Sequence, residues 1–163
     1  MKTRIKIQPV NAQLLKDQDL LGKMDPAVKL TIGSQTYTTS AAKAMGMNPI
    51  WNEKFCFEIQ PNDILKIEVF DDDFGFKDNI GKAEVNLSEI PLGQTFDRLF
   101  PLKSRIRRKE VGQIHLRFEP DLSEMKPRFQ PSEHLKPDVM SGADSLAMNK
   151  YEKKPSPYIS PVL

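Results

Sequence analysis

Several things are scarce in this chain. It has one cysteine, Cys56, and two histidines, His115 and His134. A single thiol excludes a disulfide within the chain and fits a reducing, cytoplasmic setting. So few Cys and His residues also argue against a zinc centre. Cys56 sits in a strand pattern with no Ser, Asp or Asn context for a nucleophile–base pair. No phosphate-binding glycine loop is present, so the sequence does not read as an enzyme. No run approaches 18 apolar residues, which excludes a membrane-spanning helix. The opening MKTRIKIQPVNAQ has no apolar segment of a secretory signal. The formal net charge of +2 is too small to point to nucleic acid by itself.

Proline, by contrast, is abundant at one end. From Pro120 onward seven of 44 residues are proline, six are acidic and six basic, and hydrophobic periodicity stops. Two regions are therefore expected: a folded domain over 1–119, and a Pro-rich polar tail over 120–163 that is extended, disordered or partner-docking. Within the tail, Asp144–Lys154 carries a weak helical pattern. Its scattered apolar residues, including Phe129, Tyr151 and Tyr158, suit docking on a protein partner.

The first 119 residues read as all-β. Ile5 and Ile7 alternate with Arg4 and Lys6. Val28, Leu30 and Ile32 alternate with Lys29 and Thr31. Thr36–Thr39 is short and β-branched. Trp51, Glu53, Phe55, Phe57 and Ile59 share one face of a fourth segment. Residues 64–69, 80–87, 96–102 and 112–118 complete about eight strands. Turn signals at Gly33-Ser34, Asn48-Pro49, Pro61-Asn62, Gly75 and Pro91 separate them. Regular spacing of this kind predicts an antiparallel β-sandwich or barrel.

Aspartate is depleted in strands, which assigns the two acidic clusters to loops. One holds Asp17, Asp19 and Asp25; the other holds Asp71, Asp72, Asp73 and Asp78. Alternating loops between the two ends of the sandwich puts both clusters at one end. Two readings stand. The acids are solvated surface groups, or they gather around a hard cation. Calcium suits the second reading, because it accepts 6–8 oxygens in irregular geometry. Leu20 and Leu21 interrupt the first cluster, and Phe74 and Phe76 the second. They either pack on neighbouring loops or contact a membrane. A basic run, Lys103, Arg105, Arg107, Arg108 and Lys109, is expected at the same end. It is either a solvated loop or a patch for anionic lipid. No stacking aromatics are interleaved with it, which disfavours nucleic acid.

LLGKMDPAVKL, NPIWNEKFCFEI, LKIEVFDDDFGFKDNIGKAEV and GQIHLRFEP occur in an order and spacing that resemble a C2 domain. That family is the calcium-dependent phospholipid-binding module of protein kinase C and the synaptotagmins. The likeness covers about residues 3–119 and is nearest to small plant elicitor-responsive forms. It implies an eight-stranded antiparallel sandwich with the second of the two known connectivities (type II). It also implies Ca2+ at one tip, held by Asp19, Asp25, Asp71, Asp73 and Asp78. The segment from Asp71 to Asp78 is one residue shorter than in synaptotagmin-like domains. The implied role is calcium-dependent, peripheral binding to anionic phospholipid membranes, with Leu20, Leu21, Phe74 and Phe76 entering lipid. The alternative is a calcium-independent adaptor in which the sandwich is a platform and the tail docks into a larger cytoskeletal or signalling assembly.

Overall fold

The computed structural model describes residues 2–15 and 23–125. Eight antiparallel strands run in chain order: β1 (Thr3–Leu14), β2 (Pro26–Ile32), β3 (Gln35–Thr38), β4 (Phe55–Ile59), β5 (Ile64–Asp73), β6 (Phe76–Asn86), β7 (Phe96–Lys103) and β8 (Glu110–Pro120). Their spatial order is β3-β2-β5-β6-β7-β8-β1-β4. The β6–β7 junction is a single register pair, Lys82 with Lys103, so the sheet folds there into two four-stranded layers. This is the expected eight-stranded sandwich. Two short 3-10 turns, Leu87–Glu89 and Leu122–Met125, are the helical elements among the described residues.

The period of two fills the interior. Ile5 and Ile7, Leu30 and Ile32, Leu65 and Ile67, and Ile114, Leu116 and Phe118 point inward from both layers and are at most 1% exposed. Pro9 sits in β1 without breaking it, because the register shifts between Pro9 and Asn11. Beyond that bulge, residues 47–51 run along β1. Leu14 N donates to Met47 O (2.8 Å), Ala12 N to Pro49 O (3.1 Å) and Trp51 N to Val10 O (2.9 Å). The expected strand over 51–59 therefore starts only at Phe55.

At the far edges the layers are tied by side chains. Tyr37 of β3 stacks on Phe55 and meets Phe57 edge-on, both of β4. The Gln35 amide pairs with the Glu58 backbone in both directions, donating to its carbonyl (2.6 Å) and accepting from its N–H (2.9 Å). One side chain thus satisfies backbone groups on an edge that would otherwise be open to pairing. After β8, Asp121 returns to the outer face of β1. Its N–H donates to Arg4 O (3.1 Å), and its carboxylate meets Lys6 Nζ at 3.2 Å. The compact unit runs to Met125. The short helix expected at Asp144–Lys154, like the rest of 126–163, lies outside the described residues.

Candidate functional site

Register places five segments at one end of the sandwich. Pro26 pairs with Asp71, and Leu14 pairs with Gly112. The end of β1, the entry to β2, the 39–50 segment, the β5–β6 hairpin and the β7–β8 turn therefore share that end. Asp19, Leu20 and Leu21 fall in 16–22, outside the described residues.

The acidic stretch Asp71–Asp78 is not the open loop that aspartate propensity predicts. Asp71 pairs with Asp78, Asp72 with Lys77 and Asp73 with Phe76, and both strands continue to the tip. Only Phe74 and Gly75 form the turn, at φ +45° and +83°. Positive φ at both central residues marks the tight hairpin turn that matches strand twist. The opposite charges of Asp72 and Lys77 support the pairing that propensity opposes. Alternation then puts Asp71, Asp73 and Asp78 on one face and Asp72 and Lys77 on the other. Phe74 is 94% exposed and Phe76 78% exposed, so neither is covered by the described segments at this end.

Asp71 is buried, 6% exposed, and its Oδ1 accepts from Asp25 N (2.8 Å). Asp72 N donates back to Asp25 O (3.2 Å). The hairpin and the entry to β2 are thus bonded through Asp25. The Asp25 carboxylate is also engaged by the 39–50 segment. Its Oδ1 accepts from Ala44 N (2.6 Å), and its Oδ2 meets Lys43 Nζ at 3.0 Å. The Ala44 N–H and then the Lys43 ammonium hold the Asp25 carboxyl below the usual carboxylate range. Asp25 in turn raises Lys43, with Asp72 and Asp73 adding to the field.

An all-carboxylate donor set has the chemistry of a hard-cation site, and calcium fits it better than zinc. Asp25 and Asp71 are brought together, and Asp73 and Asp78 lie on Asp71's face. Among the described residues, however, no three His, Cys, Asp or Glu side chains converge closely enough to hold a metal ion.

The basic residues stand beside the acids. Ser104 organises the β7–β8 turn: its N–H donates to Lys109 O (2.8 Å), its carbonyl accepts from Arg108 N (3.1 Å), and its hydroxyl accepts from Arg107 N (3.3 Å). Arg108 takes φ +50°. Arg105, Arg107, Arg108 and Lys109 form no ion pair among the described residues, while Lys103 belongs to β7. At the tip of this turn Ile106 is 92% exposed, an apolar residue that the basic run conceals in sequence. Sequence reasoning also missed Lys29, Lys77 and Lys82, which line a hollow with Arg105 on the outer face of β2, β5 and β6. Glu68 bonds both Lys29 (2.5 Å) and Lys82. Strand alternation was the available signal for these lysines.

Comparison with known proteins agrees with this architecture. The C2 domain family matches residues 3–102, and the chain belongs to that family. The "16 kDa phloem protein 2" of Arabidopsis thaliana is 39% identical over 83 residues, covering 50% of this chain and 56% of that protein. "Extended synaptotagmin-1" of Mus musculus is 30% identical over 156 residues, covering 84% of this chain but 14% of that protein. The chain thus spans little more than half of the first relative and a small part of the second. Among solved structures, a single C2 domain of plant Extended Synaptotagmin 1 aligns with a TM-score of 0.64 and 25% identity, over 72% of this chain and 95% of that one. The calcium-bound tandem C2 domains of Extended-Synaptotagmin 2 align with a TM-score of 0.61 and 28% identity, over 72% and 45%. No described helix is long and apolar enough to cross a membrane.

Proposed function

We propose that this end of the sandwich docks on anionic phospholipid membranes under control of calcium. The observation that carries the reading is the pair of exposed phenylalanines at the hairpin tip, Phe74 in the two-residue turn and Phe76 at the start of β6, beside a carboxylate-lined face. Asp25, Asp71, Asp73 and Asp78, with Asp19 from the preceding segment, would hold the ion. Bound calcium would supply positive charge to the acidic tip and coordination positions for lipid oxygens. Around it, this chain's own groups do the rest. Phe74, Phe76 and Ile106 provide apolar contact, and Leu20 and Leu21 extend it. Lys103, Arg105, Arg107, Arg108 and Lys109, with Lys29, Lys77 and Lys82, attract anionic headgroups. Basic residues near an anionic surface contribute about 1 kcal/mol each.

The test is sedimentation with phosphatidylcholine vesicles, with and without phosphatidylserine, in calcium or in chelator. Calcium and phosphatidylserine together are expected to pellet the protein. Equal pelleting in calcium and chelator, or none in either, overturns the reading. Asp71→Asn with Asp73→Asn is expected to abolish the calcium response, because the amides keep the fold's acceptors but lose the charge.

A further inference from the structure

Lys43 stands in an unusual place for a lysine. Its side chain is 73% exposed, yet its ammonium reaches back to Asp25, whose side chain is only 18% exposed. The 39–50 segment is shaped around this contact. Ala44 adopts φ +53°, a conformation that L residues rarely take, and its N–H lies 2.6 Å from the second Asp25 oxygen. Gly46 N donates to Met24 O (3.0 Å) and Ala42 N to Pro26 O (2.8 Å), so the segment is pinned on both sides of Asp25. The cation lies in the field of Asp72 and Asp73 as well.

We propose that Lys43 is a tethered counter-ion that competes with a divalent cation for Asp25 and sets how much of that cation the tip requires. This rests on the reading of the acidic face as a calcium site. Carboxylate repulsion at the tip is relieved from within the chain, so a cation that takes Asp25 Oδ2 must first replace the ammonium. Ala44 N–H can stay on Oδ1 meanwhile, which leaves the segment in place and frees only the lysine side chain. The released ammonium then adds to the basic groups at the membrane-facing end. The same residue therefore lowers cation affinity and raises anionic-lipid affinity once the cation is bound.

Calcium titration calorimetry on the full chain tests this, with Lys43→Met against Lys77→Met. Lys77 is a cation on the acidic β5–β6 hairpin itself, but its ammonium lies over the Phe70 ring, 5.1 Å from the centroid. Lys43→Met is expected to bind calcium about three- to tenfold more tightly, the scale of an exposed ion pair plus lost like-charge repulsion. Lys77→Met should gain clearly less. Equal gains in the two variants, or no gain in Lys43→Met, overturn the role of Lys43 while leaving the calcium site standing. No calcium binding by the wild type or by Lys43→Met overturns the calcium site itself, and this proposal with it. A second readout is lysine acetylation followed by mass spectrometry. Calcium is expected to speed modification of Lys43 and leave Lys29 unchanged; an unchanged Lys43 rate refutes displacement.

Discussion

Phe74→Asn should move membrane affinity and stability in opposite directions. Phe74 is 94% exposed, so the folded domain gains almost nothing from its ring. Full transfer of such a side chain out of water is worth about 1.5–3 kcal/mol. Partial entry at the headgroup boundary reduces that to roughly 1–2 kcal/mol, and vesicle binding should weaken roughly 5- to 30-fold. The backbone works the other way. Phe74 holds φ +45°, which costs an L residue on the order of 1 kcal/mol. Asparagine accepts that conformation readily, and Asn followed by Gly is the preferred pair for such a turn. Replacing Phe74 ahead of Gly75 should therefore stabilise the hairpin by roughly 0.5–1 kcal/mol and raise Tm by about 2–4 °C. Vesicle partition in calcium measures the first effect and thermal unfolding in chelator the second. Unchanged partition refutes insertion of Phe74. A lower Tm refutes the claim that its ring is idle in the fold.

Three further outcomes follow from other parts of the molecule. Gly112→Ala should destabilise by ~3 kcal/mol or more in denaturant unfolding, because a Cβ there lies 2.2 Å from Gln13 O, at φ +149°. Burial opposes ionisation of Asp121, but hydrogen bonds from Ser123, Cys56 and Lys6 outweigh it and hold its carboxyl well below the usual range. Its contribution is therefore present above the unfolded value, near pH 4, and lost as pH falls further, so Asp121→Asn should flatten the acid side of a Tm-against-pH curve; an unchanged acid slope rules out this latch. Ending the chain after Met125 keeps Asp121 on β1 and should leave calcium-dependent vesicle binding unchanged, whereas loss of binding would give the tail a part in it.

Sequence patterning located the strands best where one face is apolar and the other polar, as in β1, β2 and β5. It went astray where backbone partners come from afar. Trp51 and Glu53 continue the alternation of β4, but the chain there is already committed to β1 through Pro49 O and Trp51 N. The aspartates were assigned to a loop because propensity scales average over contexts. In this hairpin, Gly75 in the turn and the Asp72–Lys77 pair decide the outcome instead. Lys43 was invisible for another reason: its partner is 18 residues away, and the contact depends on a positive φ at Ala44 that SAAKAMGM does not announce.

The paired hairpin gives the run of three aspartates a meaning that a loop would not. In a strand, consecutive residues face opposite sides, so Asp71 and Asp73 are separated from Asp72 by the sheet itself. The inner face, with Asp78 opposite Asp71, is acidic and turned toward Asp25. The outer face carries Lys77, paired with Asp72, and adjoins the hollow of Lys29, Lys82 and Arg105, where Glu68 offsets part of the charge. Acid and base are therefore held on two sides of one thin blade, within a Debye length of each other at physiological salt. Before the acidic face is neutralised, an anionic surface attracts one side and repels the other, which favours contact through the outer face and the β7–β8 turn. On the proposed reading, neutralising the inner face would remove that bias and let the blade stand upright, with Phe74 and Phe76 leading. Binding in chelator should accordingly fall steeply with salt, while binding in calcium, anchored by apolar contact, should fall less; equal salt slopes would mean that the phenylalanines do not enter the membrane.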